Sequence, residues 1–174
     1  MSHDEPYLAD LVGFGHEVDI MPYAKAVAAE CPYSHDLTAL ELCELTVLGA
    51  RGKYIRVDIQ DRVAGRMLGS MIRQVIGRVS FEHHRKAQLT DAEARKFRPH
   101  IELTADLNIC GHAAEKSGRF LTDDDLEALP LPGCWGDSCF CSYVTTDRDS
   151  PQPKAEATFS GVVEIEDDED DDLE

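Results

Sequence analysis

No stretch of this 174-residue chain approaches the roughly 18 unbroken apolar residues that a membrane helix needs. The opening "MSHDEPYLADLVGFGHEVD" carries early acids and lacks a basic segment followed by an apolar one. It does not read as a secretion signal, so a cytoplasmic location and no membrane partner are expected. Aromatic residues make up only 7% of the chain, but 43% of it is hydrophobic, enough for a real core around one ordinary domain or one domain with a small appended module. Internal repeats are missing. So are a P-loop, a G-x-G-x-x-G stretch and any Ser–His–Asp order; "VGFGHE" at 12–17 has two glycines only and reads as a turn. No general base stands out, which makes a non-catalytic protein the better expectation than an enzyme.

Basic residues are scarce at both ends and concentrated between them. Residues 1–50 hold one Lys/Arg against nine Asp/Glu, residues 51–98 hold twelve against five, and residues 99–174 hold four against twenty. The net charge of −17 thus hides a basic middle. The last eleven residues, "EIEDDEDDDLE", contain nine acids and cannot bury enough apolar surface to order themselves.

The elements point to an α+β, helix-rich fold. "DIMPYAKAVAAECPY" predicts a helix stopped by a Cys-Pro step. "SHDLTALELCELTVLGARG" predicts a second, with Ser34 or Asp36 as cap, Leu37, Leu40, Cys43, Leu45 and Val47 as apolar positions, and Gly49 or Gly52 as its close. Cys31 and Cys43 read as small buried hydrophobes on these helices. "KYIRVDI" alternates like a short strand. In "QDRVAGRMLGSMIRQVIGRVSFEHHRKAQ", Arg62, Arg66 and Arg73 fall on one narrow helical face, opposite Met67, Leu68, Met71, Ile72, Val75, Ile76 and Val79. That wide apolar face suits either the centre of the core or a homodimer seam through the 62–79 helix. Gly65 and Gly69 are candidates for close helix approach. Thr90 and Asp91 suit a helix start, "PHIELTADLNI" a strand, and Thr122–Leu129 a short helix capped by Thr122. The expected organisation is a helix-rich N-terminal domain over 1–98, a cysteine-cluster module over 99–149 and a disordered acidic tail over 150–174.

Six cysteines in a reducing compartment leave metal ligation, redox chemistry or plain burial. Cys110, Cys134, Cys139 and Cys141 are spaced C-x23-C-x4-C-x-C, with His112 as a substitute ligand. Four thiolates are what a closed tetrahedral zinc site requires, at about 2.3 Å per Zn–S bond. Gly133 and Gly136 permit tight backbone paths, and Asp137-Ser138 is turn chemistry. Soft thiolates suit an iron–sulfur cluster as well. By contrast His83 and His84 project about 100° apart on a helix and do not share one metal.

The stretch from Cys110 to Arg148, with "CGHAA", "GRFL", "LPLPGC", a C-x-C-x-Y run and "DR", resembles a small cysteine-motif domain of uncharacterised bacterial proteins. The resemblance covers about forty residues. It implies that the four cysteines act as one unit, and carries no activity with it. Of the acidic–arginine segment into which that pattern often runs, this chain shows only Asp147-Arg148.

The functional expectation is an adaptor or regulatory interaction protein with a structural zinc site and a protein partner. One alternative is a redox-responsive protein using an iron–sulfur cluster or the Cys139/Cys141 thiols. The other is a nucleic-acid-associated regulator using Arg62, Arg66 and Arg73 of the basic 51–98 segment. The overall negative charge disfavours it by repelling a polyanion.

Overall fold

The computed structural model describes residues 5–11, 13, 15, 17–33, 35–51, 65–91, 96–102, 111–135 and 141–152, with backbone alone at 65, 66, 100–102, 111 and 112. The strand expected over "KYIRVDI" lies outside the described residues. The rest is α+β and helix-rich, as expected.

A two-residue hairpin begins the chain: β1 (Leu8–Ala9) pairs antiparallel with β2 (Val18–Asp19). Gly13 (φ 70°) and Gly15 (φ 76°) supply the left-handed backbone of the connection, the turn read from "VGFGHE". Helix α1 (Met21–Glu30) starts with Pro22 in its first turn, where a missing N–H costs nothing. It ends where Cys31, preceding Pro32, adopts an extended conformation (φ −60°, ψ 120°).

Helix α2 (Ala39–Ala50) is capped by Thr38, not by Ser34 or Asp36. The reason is a reciprocal box. Glu41 N–H donates to Thr38 Oγ1 (3.2 Å), while Glu41 Oε2 accepts from Thr38 N–H (2.9 Å). Leu37 and Leu42, on either side of that box, are both buried in one cluster, the staple arrangement. Leu40, expected inside, is 46% exposed; Leu42 and Thr46 take the inward positions instead.

Helix α3 (Gly65–Ser80) runs on through a π-helical turn (Phe81–Arg85) into α4 (Lys86–Thr90). Leu68, Met71, Ile72, Val75 and Val79 of α3 are buried against the side chains of α1 and α2, including Val27, Leu42, Cys43 and Leu45. Most of the apolar face over residues 67–79 is thus used inside the chain's own core. Gly49 lets α2 approach: a Cβ there would sit 3.2 Å from Ile72 Cγ2. Arg78 ties α3 to the end of α1 through Glu30 (Nη1 to Oε1, 3.0 Å), and that guanidinium holds the Glu30 carboxyl below its ordinary pKa.

A second cluster comprises Phe81, Leu89, Ala113, Leu121, Leu126, Leu131, Cys134 and Tyr143. It is covered by β3 (Phe97–Glu102) and β4 (Ser142–Asp147), antiparallel with Phe97 opposite Asp147 and Glu102 opposite Ser142. Between them come α5 (Gly111–Lys116) and a single 3-10 turn, Asp123–Asp125.

That turn replaces the helix expected over Thr122–Leu129. Thr122 starts it as expected, with Asp125 Oδ2 accepting from Thr122 N–H (2.9 Å) and Oγ1 (2.8 Å). Propagation fails because the Tyr143 hydroxyl captures both backbone groups of Glu127. It accepts from the N–H (2.9 Å) and donates to the carbonyl (2.7 Å). Lys116 Nζ adds a third competitor at the Asp125 carbonyl (2.8 Å). A helix needs those groups for its own ladder.

Candidate functional site

The sequence "LPLPGC" forms a tight corner. Cys134 N–H donates to Leu131 O at 2.9 Å, and Gly133 has φ 80°. Proline at the second position and a left-handed glycine at the third are the composition of a type II turn. Gln74, fully buried on α3, clamps both ends of that turn: its Nε2 donates to Leu131 O (3.1 Å) and to Cys134 O (2.9 Å). Leu131 O thus accepts twice, and the backbone of Cys134 is held at its N–H and its carbonyl.

Cys134 is 8% exposed and belongs to the second cluster, with Ala113 of α5; Cys141 is half-buried and packs against that cluster. Cys110 and Cys139 lie outside the described residues, and of His112 only the backbone, in α5, is described. Among the described residues no group of three or more His, Cys, Asp and Glu is placed to hold a metal. Cys43 is fully buried, as expected for a small hydrophobe, and burial pushes its thiol up to about 12; Cys31 packs partly buried against the first core.

Against this corner opens a cleft of about 440 Å³, lined on the helix side by Arg73, Ile76, Gly77, Ser80, Phe81 and Arg85. Across from them stand Leu129, Pro130 and Cys141–Tyr143. The helix approaches at Gly77, where a Cβ would overlap the carbonyl oxygen of Leu129 and lie 3.2 Å from Pro130 Cδ. Close approach was expected at Gly65 and Gly69. At Gly69 a Cβ would meet only the chain's own Arg73, at 3.5 Å, and Gly77 has the role instead.

Of the three arginines expected on one helical face, only the side chain of Arg73 is described. Arg62 and the side chain of Arg66 lie outside the described residues, and Arg73 is half-buried in the cleft wall. Arg85 lines the same cleft. Its Nη2 donates to Tyr143 O (3.1 Å) and its Nη1 to Gln88 Oε1 (3.4 Å). Positions 73, 76/77 and 80 follow the α-helical stripe i, i+3/i+4, i+7, which would continue at His84. The π turn takes up one extra residue, so Arg85 comes onto the stripe and His84 turns out to bond Gln88 (3.2 Å). His83 likewise faces away, meeting the Tyr23 hydroxyl at 3.1 Å.

Sequence reading missed Gln74 and Arg85. A signal for the first was present: Ser70, Gln74 and Gly77 form a stripe of small or polar residues beside the apolar face, and Ser70 and Gln74 are both buried. Such a stripe marks a second packing surface. Arg85 carries no comparable mark, since its placement depends on the π turn.

No family model, curated protein or solved structure matches this chain.

Proposed function

We propose that the chain is a non-catalytic adaptor or regulatory interaction protein whose C-terminal module is held in shape by a structural zinc ion bound by Cys110, Cys134, Cys139 and Cys141. The observation that carries this reading is the clamped Cys134 corner with Cys141 packed against the same apolar cluster. The other two sulfurs belong to residues tethered to that cluster. Cys110 immediately precedes α5, whose Ala113 is buried there, and Cys139 stands two residues before Cys141.

Eight buried side chains, among the described residues, make up this second cluster. So small a core gains from a metal staple, and a closed four-thiolate site supplies folding free energy directly. A rigid module joined to a helical domain, and followed by a strongly acidic segment, suits contact with another protein better than turnover of a substrate. The resemblance of residues 110–148 to a bacterial cysteine-motif domain agrees with treating the four cysteines as a unit.

Metal analysis and an absorption spectrum of the purified protein test this directly. One equivalent of colourless zinc is expected, and Cys134→Ser should release it and lower the melting temperature. A brown iron-containing protein would favour the redox alternative instead. Full metal content and an unchanged melting temperature in Cys134→Ser would overturn the proposal.

A further inference from the structure

The cleft beside the cysteine corner is lined by the apolar residues Ile76, Phe81, Leu129 and Pro130 together with Arg73 and Arg85. Arg73 and Arg85 are twelve residues apart on one continuous helix, with the π turn between them. The cleft volume is about 440 Å³. The volume itself falls within the range of about 300–1,000 Å³ typical of small-molecule sites.

We infer that this cleft is a binding site for a linear aliphatic carboxylate, its chain lying against the apolar lining and its head group on Arg85. Three observations converge on that ligand class. The π turn brings Arg85, in place of His84, onto the cleft stripe, and such turns recur at functional sites. The bond to Tyr143 O fixes the Arg85 fork while using only one of its five N–H donors, and the bond to Gln88 uses another. The fork therefore retains donors for a carboxylate. The lining is largely apolar at Ile76, Phe81, Leu129 and Pro130, and each methylene buried against it adds about 0.8 kcal/mol.

Charge decides between a small anion and a polyanion. The chain's net −17 repels an incoming ligand in proportion to that ligand's own charge. One carboxylate meets little of this repulsion and gains the Arg85 guanidinium; an acidic peptide or a nucleic acid meets many times more. The inference stands on the cleft alone and does not depend on zinc.

The test uses the full chain and decanoate as probe, with decan-1-ol and decylammonium as head-group controls, followed by titration calorimetry and thermal shift. Decanoate should bind and raise the melting temperature, decan-1-ol should bind at least about tenfold more weakly, and decylammonium should not bind. Arg85→Gln should weaken decanoate about tenfold or more, measured at a temperature where the variant, which also loses the bond to Tyr143 O, remains folded. Ser80→Leu, which fills part of the cleft and removes no charge, should also abolish binding. Binding of decanoate to neither protein nor variant, equal binding of the three head groups, or undiminished affinity in both variants would overturn the inference. So would binding of a peptide of residues 163–174, supplied separately, where decanoate fails.

Discussion

The Cα of Gly77 faces the carbonyl oxygen of Leu129 so closely that a methyl group cannot be placed between them. This contact joins α3 to the strand-side segment leading into the Leu131–Cys134 turn, and it sets the depth of the cleft. Gly77→Ala should destabilise the fold by about 3 kcal/mol, since the obstructing atoms are backbone and cannot rotate away. Gly69→Ala, on the same helix, should do the reverse. Its new Cβ meets only Arg73 Nη1 at 3.5 Å, so the change should stabilise by about 0.5–1 kcal/mol through helix propensity. Paired urea denaturation curves decide both, and equal effects in the two variants would contradict the geometry.

The contrast between these glycines shows what was legible in the sequence. The helices over 21–30, 39–50 and from 65 onward were readable because their apolar residues recur with helical period and their ends carry local signals such as Cys31-Pro32. The cap at Thr38 has a local signal too, the T-x-x-E spacing to Glu41. What could not be read is non-local. The β3–β4 pairing joins residues about forty to fifty apart, and the 3-10 turn at Asp123–Asp125 is kept from becoming a helix by the Tyr143 hydroxyl, sixteen residues beyond the Glu127 it holds. Of the proposed zinc ligands, Cys134 falls in the second cluster and Cys141 packs against it; Cys110 and Cys139 lie outside the described residues.

The Thr38 box gives a second prediction. Thr38→Ala removes the acceptor for Glu41 N–H and unseats the Glu41 carboxylate from the Thr38 N–H. A loss of about 1 kcal/mol is expected. Chemical denaturation of the variant beside the parent checks it.

Asp125 makes the acid limb of stability testable. The Arg119 guanidinium, followed by the backbone and hydroxyl of Thr122, holds its carboxyl well below the usual carboxylate range. A depressed acid contributes stability in full above its unfolded value of about 3.9, and that contribution is lost as pH falls toward the lower folded value. Melting temperature should therefore decline with acidification below about pH 5. Asp125→Asn should show a shallower decline over that interval, and an unchanged slope would rule out this contribution.

Cys43 governs part of the alkaline limb. Burial, with Asp19 and Glu44 nearby, pushes its thiol from 9.0 up to about 12, so the native state retains a proton that the unfolded chain gives up. The sign is opposite to that of Asp125: stability is present below about pH 9 and falls as pH rises toward 12. The same burial predicts that Cys43 resists iodoacetamide at pH 8 and is alkylated only after denaturation, since the thiolate is the reactive form. Peptide mapping by mass spectrometry reads this residue by residue. Rapid native labelling at Cys43 would show that the helix pair α1–α2 opens far more often than its packing implies.

Gln74 connects the fold to the site. Gln74→Leu keeps much of the side-chain volume but leaves the carbonyls of Leu131 and Cys134 without the amide that spans them, at a cost of about 1–3 kcal/mol. Gln74→Glu should be worse, because it sets a buried carboxylate against two carbonyl oxygens and removes both donors. If Cys134 is a metal ligand, the leucine variant has a second consequence: its turn is no longer held from the helix side, so zinc should be lost to a chelator faster than from the parent at equal temperature. Measured together, denaturation midpoint and metal-release rate separate the two roles. A variant that loses stability but releases metal at the parental rate would mean that the clamp serves packing alone, and that the corner keeps its shape through Pro132, Gly133 and the Leu131–Cys134 hydrogen bond.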